Sequence, residues 1–190
     1  MKTENGYRKL RKSHDIQGQA HYLTFSCFRN QPFLAKERTC QWLIDAIKSA
    51  RVKNSFELWA WVIMPEHVHL LLLPMGDTKI NKILTAVKLS VGKTASIWVR
   101  ENSPEFLAKM TDTQPNGKEF VRFWQRGGGY DRNIYSVDEV YEKINYIHNN
   151  PVRRGLVKYP GDWYWSSYRY YEYNDCEPID VDRESLPPMR

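Results

Sequence analysis

The chain has 190 residues, of which 42% are hydrophobic and 26% charged, with a formal net charge of +6. That length and balance fit one soluble domain with its own core, and no apolar run approaches the roughly 20 residues of a membrane span. The three scattered cysteines, Cys27, Cys40 and Cys176, form no Cys-x-x-Cys pair, and Met1-Lys2-Thr3-Glu4-Asn5-Gly6 has no apolar signal stretch; a cytoplasmic location follows as the expectation. Residues 1–15 carry the basic run Arg8-Lys9-Leu10-Arg11-Lys12 and read as a flexible arm. Ala20 to Phe28 is aromatic and β-branched, a strand. Lys36 to Lys53 spaces Trp42, Leu43, Ala46, Ile47 and Ala50 as a helix does. Phe56 to Ile63 is a second strand, ended by Pro65, and His67 to Leu73 a third, ended by Pro74 and Gly76. Lys79 to Arg100 is a second helix, 101–118 a loop, and Phe120 to Tyr135 a strand broken at Gly127-Gly128-Gly129. Ser136 caps a third helix that runs to Asn150, with Glu139 completing the capping box. Pro151 is expected to end it. The order β-α-β-β-α-β with one helix appended predicts an α+β, ferredoxin-like antiparallel sheet with helices on one face.

Charge is unevenly spread. Residues 171–190 hold six acids and two bases, a net of −4, which leaves +10 on the remainder. A basic body of that size suits a polyanion. The chain divides accordingly into the arm (1–15), a basic domain (16–170) and an acidic C-terminal tail (171–190). The tail, if mobile, could occupy a nucleic-acid groove in place of phosphates; the rival is a solvated terminus.

Chemistry concentrates at His67-Val68-His69. Strand alternation puts both imidazoles on one face and Val68 on the other. Two adjacent inward imidazoles form half of a metal site; the bland alternative is two histidines that each found a hydrogen-bond partner. Glu66 is assigned to the other face, with Val68. On the third helix, Val137, Val140, Tyr141, Ile144, Ile147 and His148 form the packing arc. Tyr146 lies off that arc, with Asn150 one turn on; a surface tyrosine is the competing account. Gly92-Lys93-Thr94 falls mid-helix and lacks the earlier glycine of a phosphate loop. The aromatics from Trp163 to Tyr173 either stack bases or pack on the body, and packing is favoured for Trp163 and Trp165.

Taken together, Pro65-Glu66-His67-Val68-His69, Trp124-Gln125-Arg126, the stretch from Tyr146-Ile147-His148-Asn149-Asn150-Pro151-Val152 to Val157, and Asp162-Trp163-Tyr164-Trp165-Ser166-Ser167-Tyr168 resemble the REP-associated tyrosine transposases. These are a branch of the single-tyrosine HUH nucleases, and the resemblance spans about residues 20–170. It implies that His67, His69 and Asn150 hold a divalent metal, Mg²⁺ or Mn²⁺, and that Tyr146 is the nucleophile. It implies cutting and rejoining of single-stranded or hairpin DNA through a 5′-phosphotyrosine, by a monomer or homodimer. Arg126, Arg132, Arg153, Arg154 and Lys158 are the expected DNA contacts. The alternatives are a domesticated hairpin-binding protein that does not cut and an RNA-binding ferredoxin-like domain. Gly127-Gly128-Gly129 departs from the family pattern, where a bulkier residue precedes the matching Tyr-Asp-Arg.

Overall fold

The computed structural model describes residues 16–189, so the basic arm lies outside the described residues. Strand β1 (His21–Ser26) leads to helix α1 (Glu37–Asn54), then to β2 (Phe56–Ile63) and β3 (His67–Pro74). Helix α2 (Ile80–Asn102) follows, then the short α3 (Leu107–Met110) and a two-stranded ribbon of β4 (Thr111–Thr113) and β5 (Glu119–Val121). Strand β6 (Tyr130–Asn133), α4 (Val137–Arg153) and α5 (Tyr168–Tyr173) complete the order. The main sheet runs β2-β3-β1-β6, with every neighbouring pair antiparallel. This is the expected ferredoxin-like arrangement. The expected broken strand at 120–135 divides between two sheets: β5 pairs with β4, and only β6 joins the main sheet.

Both faces of the sheet are covered. On one, α1 and α2 pack against Leu23, Phe25, Val68, Leu70 and Leu72; on the other, α4 lays Val140, Ile144 and Ile147 over Tyr22, Val62 and Leu71. Helices on one face was therefore half of the arrangement, with the appended helix closing the other. A bulge between Leu58 and Ala60 in β2 leaves Trp59 and Ala60 both on the α4 side, where regular alternation would have split them. Two apolar faces explain why β2 and β3 read as almost unbroken apolar runs. Among the described residues no helix is long and apolar enough to cross a membrane.

Edge strand β6 lies close against β1. A Cβ on Gly129, whose φ is +81°, would stand 2.2 Å from the carbonyl oxygen of Thr24. A side chain there both clashes with backbone and strains its own. Gly129→Ala should cost at least about 2 kcal/mol, with hydrogen exchange faster in β6 than in β2; a variant that melts like the parent would contradict this packing.

The acidic tail is docked rather than mobile. Ile179 and Val181 are 2% and 3% exposed in the core beneath α1. The N–H of Asp182 donates to the Leu58 carbonyl at 2.8 Å, and its carboxylate accepts from the Leu58 N–H at 2.7 Å. Arg51 donates to the same carboxylate, at 2.8 Å, and to Asp180. Trp59 donates to Ser185 and Tyr141 to the Pro187 carbonyl. The segment thus caps the exposed edge of β2, and the reading of a tethered competitor for the DNA groove is withdrawn. Asp182→Ala should destabilise the fold by about 2 kcal/mol, since it strands the Leu58 N–H and leaves Arg51 with Asp180 alone; an unchanged urea midpoint would show the tail to be a passenger.

Candidate active site

Strand β3 brings the two histidines to the α4 face, as alternation requires. His67 Nε2 and His69 Nε2 lie 3.0 Å apart. Their outer nitrogens are held by different groups. Thr24 stands opposite His69 in the β1–β3 register, and its hydroxyl is 2.8 Å from His69 Nδ1; the Tyr22 hydroxyl is 2.7 Å from the same atom. His67 Nδ1 donates to Glu66 Oε1 at 3.1 Å. Glu66 is therefore at the site, not on the opposite face. It precedes the first strand residue, in the turn after Pro65, where strand alternation does not yet apply.

Asn150 completes the cluster. It is 5% exposed, and its amide nitrogen lies 3.1 Å from His69 Nε2. Helix α4 passes through Pro151 to Arg153, so the expected stop at Asn150 does not occur. A proline in the last turn forfeits one backbone hydrogen bond, and the Arg154 N–H, bonded to the Asn150 carbonyl, continues the turn. His148, on the next face, bonds Ser167 Oγ at 2.9 Å. That hydroxyl also accepts from the Trp61 N–H. The helix that carries Tyr146 and Asn150 is thereby tied to β2.

Tyr146 is half-buried and faces His69 of its own chain. Its ring centroid is 5.7 Å from that of His69 and 6.1 Å from that of Tyr22, edge-on to both. The neighbouring Tyr22 is buried, which pushes its pKa well above the usual phenol range. The Arg153 guanidinium lies 4.7 Å above the Tyr146 ring. Tyr22, Thr24, His69, Tyr130, Arg132, Lys143 and Tyr146 line a cleft of about 340 Å³.

The donor set suits a divalent ion. Burial is the main cause that holds both imidazoles below their ordinary pKa, His69 at about 3, so each is neutral at pH 7, the form that ligates metal. Glu66 can only accept, which fixes the His67 proton on Nδ1. With the His69 proton also on Nδ1, donated to Tyr22 or Thr24, two Nε2 lone pairs face one another at 3.0 Å. An ion bonded at roughly 2.1 Å separates adjacent octahedral ligands by about that much. With the proton on Nε2 instead, His69 donates to His67, and the pair is a closed hydrogen-bond network. Among the described residues no three His, Cys, Asp or Glu gather to hold a metal, so a third donor must be of another type. The Asn150 amide is in place, and turning it by half a rotation presents its oxygen.

Of the expected DNA contacts, three are occupied by acids. Arg126 pairs with Asp112 at 3.0 Å, Arg132 with Glu139, and Arg154 with Glu66 at 2.7 Å. Arg153 and Lys158 are exposed. Lys143, one turn before Tyr146, and the β1 pair Tyr22 and Thr24 were missed by motif reasoning, although the alternation of β1 already groups Tyr22 with Thr24. Trp163 and Trp165 do pack: Trp163 donates to the Ile63 carbonyl, and the Ile63 N–H to that of Trp165.

The family described as "Transposase IS200 like" matches residues 16–150, a span that takes in His67, His69, Tyr146 and Asn150. The REP-associated tyrosine transposase of Escherichia coli (strain K12) is 27% identical over 169 residues, 87% of this chain and 86% of that protein. A solved REP-associated tyrosine transposase bound to a REP hairpin superposes with a TM-score of 0.69 at 22% identity, covering 96% of this chain and 99% of that one; this likeness is one of fold. With a family match over residues 16–150, most of its length, the chain belongs to the IS200-like transposases.

Proposed function

We propose that this protein is a metal-dependent single-strand DNA endonuclease and strand transferase, of the REP-associated tyrosine transposase type, acting on hairpin-forming DNA in the cytoplasm. The observation that carries the reading is the 3.0 Å approach of His67 Nε2 and His69 Nε2 beneath Tyr146. His67, His69 and the Asn150 amide oxygen would hold a Mg²⁺ or Mn²⁺ ion. Bound there, the ion would draw charge from a nonbridging phosphate oxygen.

The chain's own residues do the rest. Tyr22 and Thr24 orient His69, and Glu66 orients His67. Arg132 and Lys143 stand on the wall of the cleft, paired with Glu139 and Glu142; a phosphate that displaces those carboxylates gains positive neighbours. The Tyr146 oxygen attacks phosphorus, and its proton passes to water. The bond to the 3′ oxygen breaks, that oxygen takes up a proton, and the 5′ phosphate stays on Tyr146. The phosphotyrosine conserves the bond energy, so a 3′-hydroxyl can displace the tyrosine and rejoin strands without ATP. One nucleophile per site permits one such intermediate at a time.

A cleavage assay tests the class of activity. Protein, Mn²⁺ and a labelled DNA hairpin with unpaired flanks should yield cut strand, while the same sequence as RNA or as blunt duplex should not. Tight binding of the hairpin without any cut product would favour the domesticated binding protein, and preference for RNA would favour an RNA-binding domain.

A further inference from the structure

The sheet face away from Tyr146 carries a cavity of about 400 Å³ where α1, α2 and α3 meet. Its apolar wall is aromatic: Phe33 and Phe123 are buried, and Trp42, Trp98 and Phe106 are half-buried beside them. Lys36, Arg38 and Lys109 also line it and are exposed, and no acidic side chain does. Glu37 and Glu105, next to lining residues in sequence, are not part of the wall. Among the described residues none of these three cations is paired with a carboxylate. Around the reaction cleft, by contrast, Arg132, Lys143 and Arg154 each face one.

The rings form a pit rather than a stacking platform. The Arg38 guanidinium lies 3.7 Å from the Trp98 ring centroid, and the Trp42 ring is tilted against Trp98 at 6.2 Å. The Lys109 ammonium lies 5.2 Å from the Phe106 ring. Phe33 packs against Phe106 and Phe123 at 5.6 and 5.4 Å. Stacking a nucleic-acid base needs a free ring face, and each of these rings already has a partner. What the cavity offers is room for a large apolar side chain, with cationic donors beside it. A guanidinium that lies flat on a ring keeps its in-plane N–H groups for a carboxylate. The complement of this surface is a polypeptide with an apolar anchor set among acids.

We propose that this cavity docks an acidic segment of a partner protein. A Phe, Trp or Leu side chain of that segment enters between Trp42, Trp98 and Phe106, and its neighbouring carboxylates meet Lys36, Arg38 and Lys109. The site lies across the sheet from the reaction cleft, so the partner and the DNA are held at the same time. A single DNA strand and a second copy of this chain are the competing occupants.

The test begins with random peptides displayed on phage and selected on the full chain. Enriched sequences should place Asp or Glu beside a large apolar residue. A labelled synthetic peptide of the enriched sequence is then bound in solution and followed by fluorescence anisotropy. Arg38→Glu with Lys109→Glu should weaken it by at least about tenfold at low salt, and so should Ala in place of the peptide's apolar residue. Both substituted positions are exposed; Arg38→Gln serves as a milder variant should the double one melt early. Hairpin DNA affinity should be the same in parent and variant, and saturating hairpin should leave the peptide bound. Selection of no sequence, or of neutral or basic ones, would overturn the proposal, as would peptide affinity indifferent to the charge reversal. Loss of DNA binding in the variant would assign the cavity to a strand, and loss of a concentration-dependent dimer would assign it to a second copy; either would overturn it too.

Discussion

Tyr146→Phe should abolish the covalent protein–DNA adduct and lower cleavage by at least about a thousandfold, while hairpin affinity changes little. The hydroxyl is the only atom lost. The ring keeps its edge-on contacts with His69 and Tyr22 and its place under Arg153, so α4 stays seated. What disappears is the attacking oxygen. The result is read on a denaturing gel with end-labelled DNA. Persistent adduct would move the nucleophile to another tyrosine, and geometry names the candidates. Tyr22 and Tyr130 line the same cleft. Tyr141, in the packing arc, has its hydroxyl on the Pro187 carbonyl and packs under the tail. Tyr22 makes a poor nucleophile, since burial raises its pKa.

His67→Ala and His69→Ala should each remove cleavage and weaken Mn²⁺ binding by at least about a hundredfold, because an inner ligand matters more than the outer partners whose loss costs 10–100-fold. Asn150→Ala should do less, as water can replace a neutral amide oxygen. Asn150→Asp should tighten Mn²⁺ binding, since it adds a charge at the same position. Electron paramagnetic resonance of free Mn²⁺ reads all four variants without depending on activity. Mn²⁺ bound equally by parent and both histidine variants would leave these residues as the closed hydrogen-bond network, and the metal account would fall.

The strands of the main sheet and the two long helices were legible because alternation in β1 and β3 and the 3.6-residue period in α1 and α2 are local signals. His67 and His69 were placed on one face by the same rule. Helix spacing set Tyr146 off the packing arc, but its ring packs on the same sheet face as that arc, against Tyr22 and His69. The small elements after α2 were not legible, because strands as short as β4 and β5 carry too few residues for a period to show.

The site's supporting residues escaped for a different reason. Tyr22 and Thr24 come from β1, and Tyr130 from β6, far from the histidines in sequence and near them only through strand pairing. Glu66 was misplaced by extending strand alternation one residue into a turn. The tail was misjudged on charge alone: Asp180 and Asp182 are matched to Arg51, while Ile179 and Val181 alternate with those acids as an inward strand would. Net charge described the segment's composition, and the alternation described its role.

The most direct measurement is peptide mapping of the covalent product. The full chain, Mn²⁺ and a hairpin with unpaired flanks are incubated, the protein is digested, and the nucleotide-bearing peptide is sequenced by mass spectrometry. The account predicts a single modified residue, Tyr146, joined to a 5′ phosphate, with a free 3′-hydroxyl on the released strand. A nucleotide on Tyr22 or Tyr130, a 3′ linkage, or cleavage with no protein-bound nucleotide would contradict it.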